Sequence, residues 1–292
     1  MKVGFSFFGV HPTRYPVLAT KADQVGFESC WQPEHLVFPV NIPPTYPYSA
    51  DGVPPVNPST QLYDPWVTLS FVAAATQNLN LGTNVYILPL RNPFVTARAV
   101  GTLDMLSSGR VILGCGIGWL REEFEVVGEQ WANRAGRANE IVEIIRKLWT
   151  EETVEFHGKY YDFGPVKFEP KPTRKPHPPI QFGGTTPPAL RRAATLGDGW
   201  IGVRHAPDEL RKIVATLDQH RKEAGREKLP FEVTVGTPGR PTVDDIKRLQ
   251  EAGATRVTVV PWQMPPQGTR LTREMALAGI EDFGEKVLSR VR

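Results

Sequence analysis

From one end of this chain to the other, short apolar, β-branched or aromatic runs alternate with longer stretches of helical periodicity. That alternation is the pattern of a mainly parallel sheet covered by helices, and it leaves few folds open. Eight strand-like runs stand out: "KVGFSFF" (2–8), "ESCWQ" (28–32), "NLGTNVYI" (80–87), "RVILGCG" (110–116), "PIQFGG" (179–184), "GWIGV" (199–203), "FEVTVG" (231–236) and "RVTVVPW" (256–262). Helices are predicted between them, for example "DPWVTLSFVAAAT" from Asp64, with proline just after the cap, and "NEIVEIIRKLWTEE" from Asn139. Eight such units in 292 residues predict an α/β chain folded as one (β/α)8 TIM barrel, a single domain over 1–292. The competing reading is a doubly wound open sheet with a dinucleotide site, because "GCGIG" at 114–118 follows a strand and precedes a helix. The rest of that fingerprint is missing: no third glycine falls in place, and no acidic residue ends a strand about twenty residues on.

With 40% apolar and 22% charged residues the chain has the composition of a globular protein with a large core. Its net charge of +3 is dispersed, and the densest basic run, "HRKEAGREK" at 220–228, carries two glutamates where a helix should end. A solvated face is expected there, with no nucleic-acid partner. Cys30 and Cys115 are too far apart in sequence for a metal or redox motif and are expected to be small core residues. No run approaches the length of a membrane span, and "MKVGFSFFGV" is too strand-like for a signal peptide, so a cytoplasmic protein without membrane contact is expected.

Two segments exceed a minimal barrel. Residues 36–63 hold seven prolines and three tyrosines directly after the second strand. A barrel's active site lies at the carboxyl ends of its strands, so this loop is expected to overhang the site as a lid. Residues 153–178 are expected to form a structural β-hairpin insertion before the fifth strand, with a proline-rich return.

Strand ends supply the candidate chemistry. Glu34 and His35 follow the second strand, Asn84 interrupts the third, Gly116, Ile117 and Gly118 turn after the fourth, and Gly183, Gly184 and Thr185 end the fifth. Neither a Ser-His-Asp arrangement nor a His-x-x-x-His pair is visible, which leaves hydrolysis and metal catalysis without support. A glycine-rich strand end opening onto a helix presents backbone N–H groups to an anion, so Gly183, Gly184 and Thr185 are expected to hold a phosphate. His35 is the candidate for proton transfer, since imidazole exchanges a proton near neutral pH.

The segments "WQPEH" (31–35), "LGTNVYILPLRNP" (81–93), "TLDMLSSGRVILGCGIGWLREEFEVVG" (102–128) and "GGTTPPALRRAATLGDGW" (183–200), in that order, resemble the bacterial luciferase-like superfamily of flavin and deazaflavin oxidoreductases. "YPYSADG" (46–52) and "HGKYYDF" (157–163) resemble its coenzyme F420-dependent actinobacterial branch most. The resemblance covers nearly the whole chain. It implies a hydride transfer between F420 and a small-molecule substrate, with His35 handling the proton, and a homodimer. It also implies a non-prolyl cis peptide at Asn84–Val85, forming a bulge that backs the deazaflavin ring beside Ile87. Glu34 matches an acidic position that contacts the cofactor, and the Gly116–Gly118 turn one that lets the backbone approach it. Glu122 and Glu123 are expected to face the helix start and support that turn. Where the glucose-6-phosphate dehydrogenase branch carries a catalytic glutamate, this chain has Trp119, which with Tyr46 and Tyr48 of the loop is expected to form an apolar substrate wall. Arg91 or Arg204 is expected to be an exposed cation for the polyglutamate tail of F420. The alternatives are an FMN-dependent monooxygenase supplied with reduced flavin by a separate reductase, and a non-catalytic barrel that binds a flavin or other ligand.

Overall fold

The computed structural model describes residues 1–263 and 271–291. Eleven strands are present among them: β1 (Lys2–Ser6), β2 (Ser29–Gln32), β3 (Asn80–Thr83), β4 (Tyr86–Ile87), β5 (Val111–Gly116), β6 (Val154–His157), β7 (Asp162–Val166), β8 (Ile180–Gly183), β9 (Gly199–Gly202), β10 (Glu232–Gly236) and β11 (Arg256–Val259). All but β6 and β7 join one parallel sheet in the order β3-β2-β1-β11-β10-β9-β8-β5-β4, and a β3–β5 pairing closes it. With β3 and β4 as two halves of one strand, this is a closed eight-position (β/α)8 barrel. Every residue of β2, β5, β9 and β11 is buried, as parallel strands covered on both faces must be.

The helices α1 (Tyr15–Val25), α2 (Pro65–Ala75), α3 (Pro93–Leu106), α4 (Arg121–Val126), α5 (Arg134–Thr150), α6 (Pro187–Leu196), α7 (Pro207–Glu223), α8 (Val243–Glu251) and α9 (Arg273–Phe283) surround it. The start of α2 has the predicted local cause: the Asp64 carboxylate accepts from the Trp66 and Val67 amides at 2.9 and 3.0 Å, and Pro65 occupies a position where no N–H is needed. Helix α5 begins at Arg134, five residues before the expected Asn139. Gly136, a poor helix former, is accepted there because Tyr160 of the hairpin insertion packs on it, 2.6 Å from where a Cβ would stand. The insertion is the antiparallel β6–β7 pair, tied to α5 by the Glu140 carboxylate, which accepts from the Lys159, Tyr160 and Tyr161 amides.

Inside the barrel, Trp31 lies across the axis. Its indole donates to Ser29 Oγ at 2.9 Å, and Gly4 and Gly82 stand where any side chain would collide with it, with Cβ positions 2.6 and 2.5 Å from the ring. Below it, Arg256 forks onto Glu28 through two 2.8 Å bonds and donates to Thr234 at 3.1 Å. Glu232 closes this layer, pairing with Lys2 and accepting from Thr255 at 2.6 Å. A polar cavity of about 240 Å³ lies among these residues. Cys30 and Cys115 are buried and unbridged, as expected.

Candidate active site

The third strand breaks where the sequence placed its oddity. Gly82 pairs with Ile112 and Tyr86 with Cys115, so four steps along β3–β4 oppose three along β5, a one-residue bulge. The Asn84–Val85 peptide within it is cis. Val85 packs against the small cluster of Trp31, Ile112 and Ile201 in the upper barrel. Gly116 and Gly183 flank it from the neighbouring strands: a Cβ on Gly116 would lie 2.8 Å, and one on Gly183 3.2 Å, from the Val85 methyls. The result is an apolar shelf at the carboxyl end of the barrel, without side chains on either side.

Around this shelf the predicted residues divide. Gly118 adopts a left-handed φ of 81°, and a side chain there would strike Phe124 and Ile87. Ile87 itself packs with Leu90 and Phe124, and Ile117 against the main core. Gly184, with φ 114°, precedes α6, and its carbonyl accepts from the Trp200 indole at 2.7 Å. The first turn of α6 offers an anion less than the sequence suggested. Pro187 and Pro188 have no N–H, and the Ala189 amide is bonded to the Thr186 carbonyl at 2.9 Å. Only the loop amides around Gly184 and Thr185 remain for a phosphate.

Glu34 is buried, 4% exposed. One oxygen accepts from the Ile87 amide at 2.6 Å and the other pairs with Arg91, whose guanidinium lies 4.5 Å over the Tyr86 ring. Burial outweighs the Arg91 charge and pushes the carboxyl up to about 7. Arg91 is therefore no exposed cation: desolvated against Glu34 and Tyr86, it holds the bulged strand, and Arg204 alone of the two expected cations is exposed.

His35 points at α4. Its Nδ1 lies 2.7 Å from Glu123 Oε2, and Glu123 Oε1 accepts from the Leu36 amide at 2.6 Å and the Val37 amide at 3.5 Å. Glu122 and Glu123 lie in the first turn of α4, as expected, but the buried Glu123 carboxylate does not bond the turn: it reaches back across 88 residues to the root of the loop. That Glu123 faces inward was legible, since Leu120, Glu123, Phe124 and Val127 fall at the spacing of one helical face, and Leu120 and Phe124 are fully buried.

Trp119 stands edge-on to His35 at 5.7 Å and to Tyr46 at 5.2 Å, and Tyr46 meets Tyr48 at 5.3 Å. The Tyr48 hydroxyl comes within 3.9 Å of a Cβ position on Gly184. The 36–63 loop thus runs from the end of β2 across Trp119 to the end of β8, over the mouth. Burial raises the Tyr46 hydroxyl pKa, and the nearby Arg204 charge opposes that rise. An apolar surface groove of about 480 Å³, lined by Phe94, Val95, Arg98, Ala99 and Phe168, includes none of these residues. No cluster of side chains among the described residues could hold a metal ion.

A closed parallel barrel with such a mouth is that of a (β/α)8 enzyme, and comparison with known proteins identifies its family. The model of the luciferase-like monooxygenases matches residues 9–274, and the chain belongs to that family. An uncharacterised protein of Mycobacterium tuberculosis is 36% identical over 282 residues, 96% of each chain. The F420-dependent glucose-6-phosphate dehydrogenase of Amycolatopsis mediterranei is 33% identical over 189 residues, 63% of this chain and 51% of that one. Among solved structures, the coenzyme F420-dependent tetrahydromethanopterin reductase of Methanopyrus kandleri superposes with a TM-score of 0.79 at 19% identity, over 100% of this chain and 99% of that one. The monooxygenase RslO1 of Streptomyces bottropensis gives 0.78 at 21%, over 100% of both chains.

Proposed function

We propose that the protein is an F420-dependent oxidoreductase exchanging a hydride with a small, largely apolar organic substrate. The observation that carries this reading is the apolar shelf of Val85, flanked by Gly116 and Gly183, with a carboxylate-held histidine at its edge. A flat ring needs an apolar floor that its edges can overlap, and two glycines beside one valine supply it. The loop amides at Gly184 and Thr185 fit a ribityl phosphate, and exposed Arg204 fits an anionic tail. Hydride acceptance or donation is the chemistry a deazaflavin bound there would supply. His35 takes up the substrate's O–H proton through Nε2 as the hydride leaves carbon, and returns it in the reverse direction. Glu34 acts through the Ile87 amide and Arg91 to hold the bulge. Trp119, Tyr46 and Tyr48 present an aromatic wall in place of a phosphate-binding one, which favours an apolar substrate over a sugar phosphate.

The second reading, an FMN-dependent monooxygenase served by a separate reductase, is favoured by the family description and by the likeness to RslO1. Equilibrium titration of the protein with F420 and with FMN at two salt concentrations separates the two. F420 is expected to bind more tightly, with an affinity that weakens as salt screens Arg204. Equal or tighter FMN binding would transfer the assignment to the monooxygenase.

A homodimer is part of the proposal. Helix α2 contains no charged residue and exposes Val67 and Phe71, at 61% and 66%, on one face. Sedimentation giving a monomer at micromolar concentration would remove it. No helix among the described residues is long and apolar enough to cross a membrane.

A further inference from the structure

We infer that Glu123 is a positioning residue which fixes the tautomer of His35 and ties it to the root of the overhanging loop. The inference rests on the reading of His35 as the proton-transferring group. Glu123 is fully buried on α4, and its two oxygens are divided between two tasks. Oε2 faces His35 Nδ1 at 2.7 Å, and Oε1 accepts from Leu36 N at 2.6 Å and Val37 N at 3.5 Å, the first residues of the 36–63 loop. A carboxylate can only accept, so Nδ1 must carry the hydrogen. In the neutral ring Nε2 is then left with the lone pair, and it has no hydrogen-bond partner among the described residues. The ring retains 12% side-chain exposure. Trp119 at 5.7 Å and Phe38 at 4.7 Å pack against the imidazole, so rotation cannot easily exchange its two nitrogens.

Because the same carboxylate holds the Leu36 and Val37 amides, the ring and the start of the loop are set together. A displacement of the loop root would pull Glu123 from His35 and release its tautomer. The orientation of the proton-transferring nitrogen is thereby made conditional on a seated loop.

Replacing the carboxylate by an amide discriminates this role from packing. In Glu123→Gln the carbonyl can still accept from Leu36 N, while the NH2 group faces Nδ1 as a donor. His35 is then forced toward the tautomer with hydrogen on Nε2, the wrong one for accepting a proton. The readout is the two-bond 1H–15N correlation spectrum of histidine-labelled protein, with the His35 signals identified among the six histidines by their loss in His35→Asn. In the unmodified protein Nε2 should resonate as a bare, pyridine-like nitrogen. In Glu123→Gln that signature should pass to Nδ1, and kcat should fall on the order of 10²-fold with the substrate KM and F420 affinity within a few fold. Glu123→Asp, which keeps an acceptor, should restore the tautomer at least in part.

A protonated Nε2 in the unmodified protein would overturn the inference without any variant, so misfolding of Glu123→Gln would not protect it. An unchanged tautomer in Glu123→Gln would overturn it equally. The spectrum needs neither cofactor nor turnover. The expected tautomers in a protein that showed no F420 activity would therefore keep Glu123 in its place and remove the functional reading instead.

Discussion

The two ends of the barrel both bury charge, and they do so in opposite ways. At the amino end, Lys2, Glu28, Asn80, Glu232, Thr234 and Arg256 come from five strand positions and satisfy one another, with Arg256 forked onto Glu28. At the carboxyl end, Glu34 and Glu123 each spend one oxygen on a cationic or imidazole side chain and the other on a backbone amide of a loop or bulge. Charges bonded to one another lock strands into register. Charges bonded to loop backbone hold a shape that the loop would not adopt alone, and they leave an apolar opening between them. The first arrangement serves stability, and in the proposed function the second places groups around a ligand.

Substitutions at the two ends should separate along that line. The largest effect on folding is expected from Arg256→Ala, which strands Glu28 without its partner in a site where the arginine side chain is 3% exposed. Loss of one partner of a buried pair costs about 3–5 kcal/mol. Chemical denaturation should show that loss, while turnover per folded molecule stays near wild type. A matching fall in kcat would mean that the ends are coupled. His35→Ala should do the reverse, lowering kcat on the order of 10³-fold with cofactor affinity within a few fold and little change in denaturation midpoint. Collapse of cofactor binding with an intact saturated rate would assign His35 to anchoring.

The smallest effect sharpens the comparison through pH. Glu34 would titrate near 4.5 in the unfolded chain and titrates at about 7 when folded, because burial disfavours its charge. Between those values the folded protein holds a proton that the unfolded chain has released. The contribution of this group to stability is therefore greatest below the window and declines as pH rises through it. The decline is on the order of 1 kcal/mol for each pKa unit of the shift. Denaturation midpoints measured below and above this window should differ less in Glu34→Gln than in wild type. Parallel curves for the two proteins would show that Arg91 keeps Glu34 ionised throughout.

The amino acid order carried most of the architecture, because each barrel strand is a local apolar run and several helices, α2 with Asp64–Pro65 and α3 with Asn92–Pro93 among them, start on a local cap. It also carried the break at Asn84–Val85, a polar residue inside such a run. Pairings across the mouth were not legible. Nothing in "WLREEF" says that Glu123 meets His35, since their contact depends on how α4 docks after the turn at Gly118. Arg91 read as a solvent-facing cation between two prolines, and only the assembled site shows it covered by Tyr86 and bound to Glu34. The weak first turn of α6 was visible in principle in the Pro187–Pro188 pair, whose missing amides offset the promise of the glycines before them.

The indole of Trp31 across the axis makes the molecule a cup instead of a tube. With Gly4 and Gly82 pressed against that ring, it fills the barrel between the shelf and the polar layer around Arg256. In the proposed reaction, what enters over the shelf would leave by the same rim, past the tyrosines of the overhanging strap. Arrival of one reactant and departure of its product therefore compete for one aperture, and the frequency with which that aperture clears sets an upper bound on turnover, whatever the speed of the chemistry beneath it.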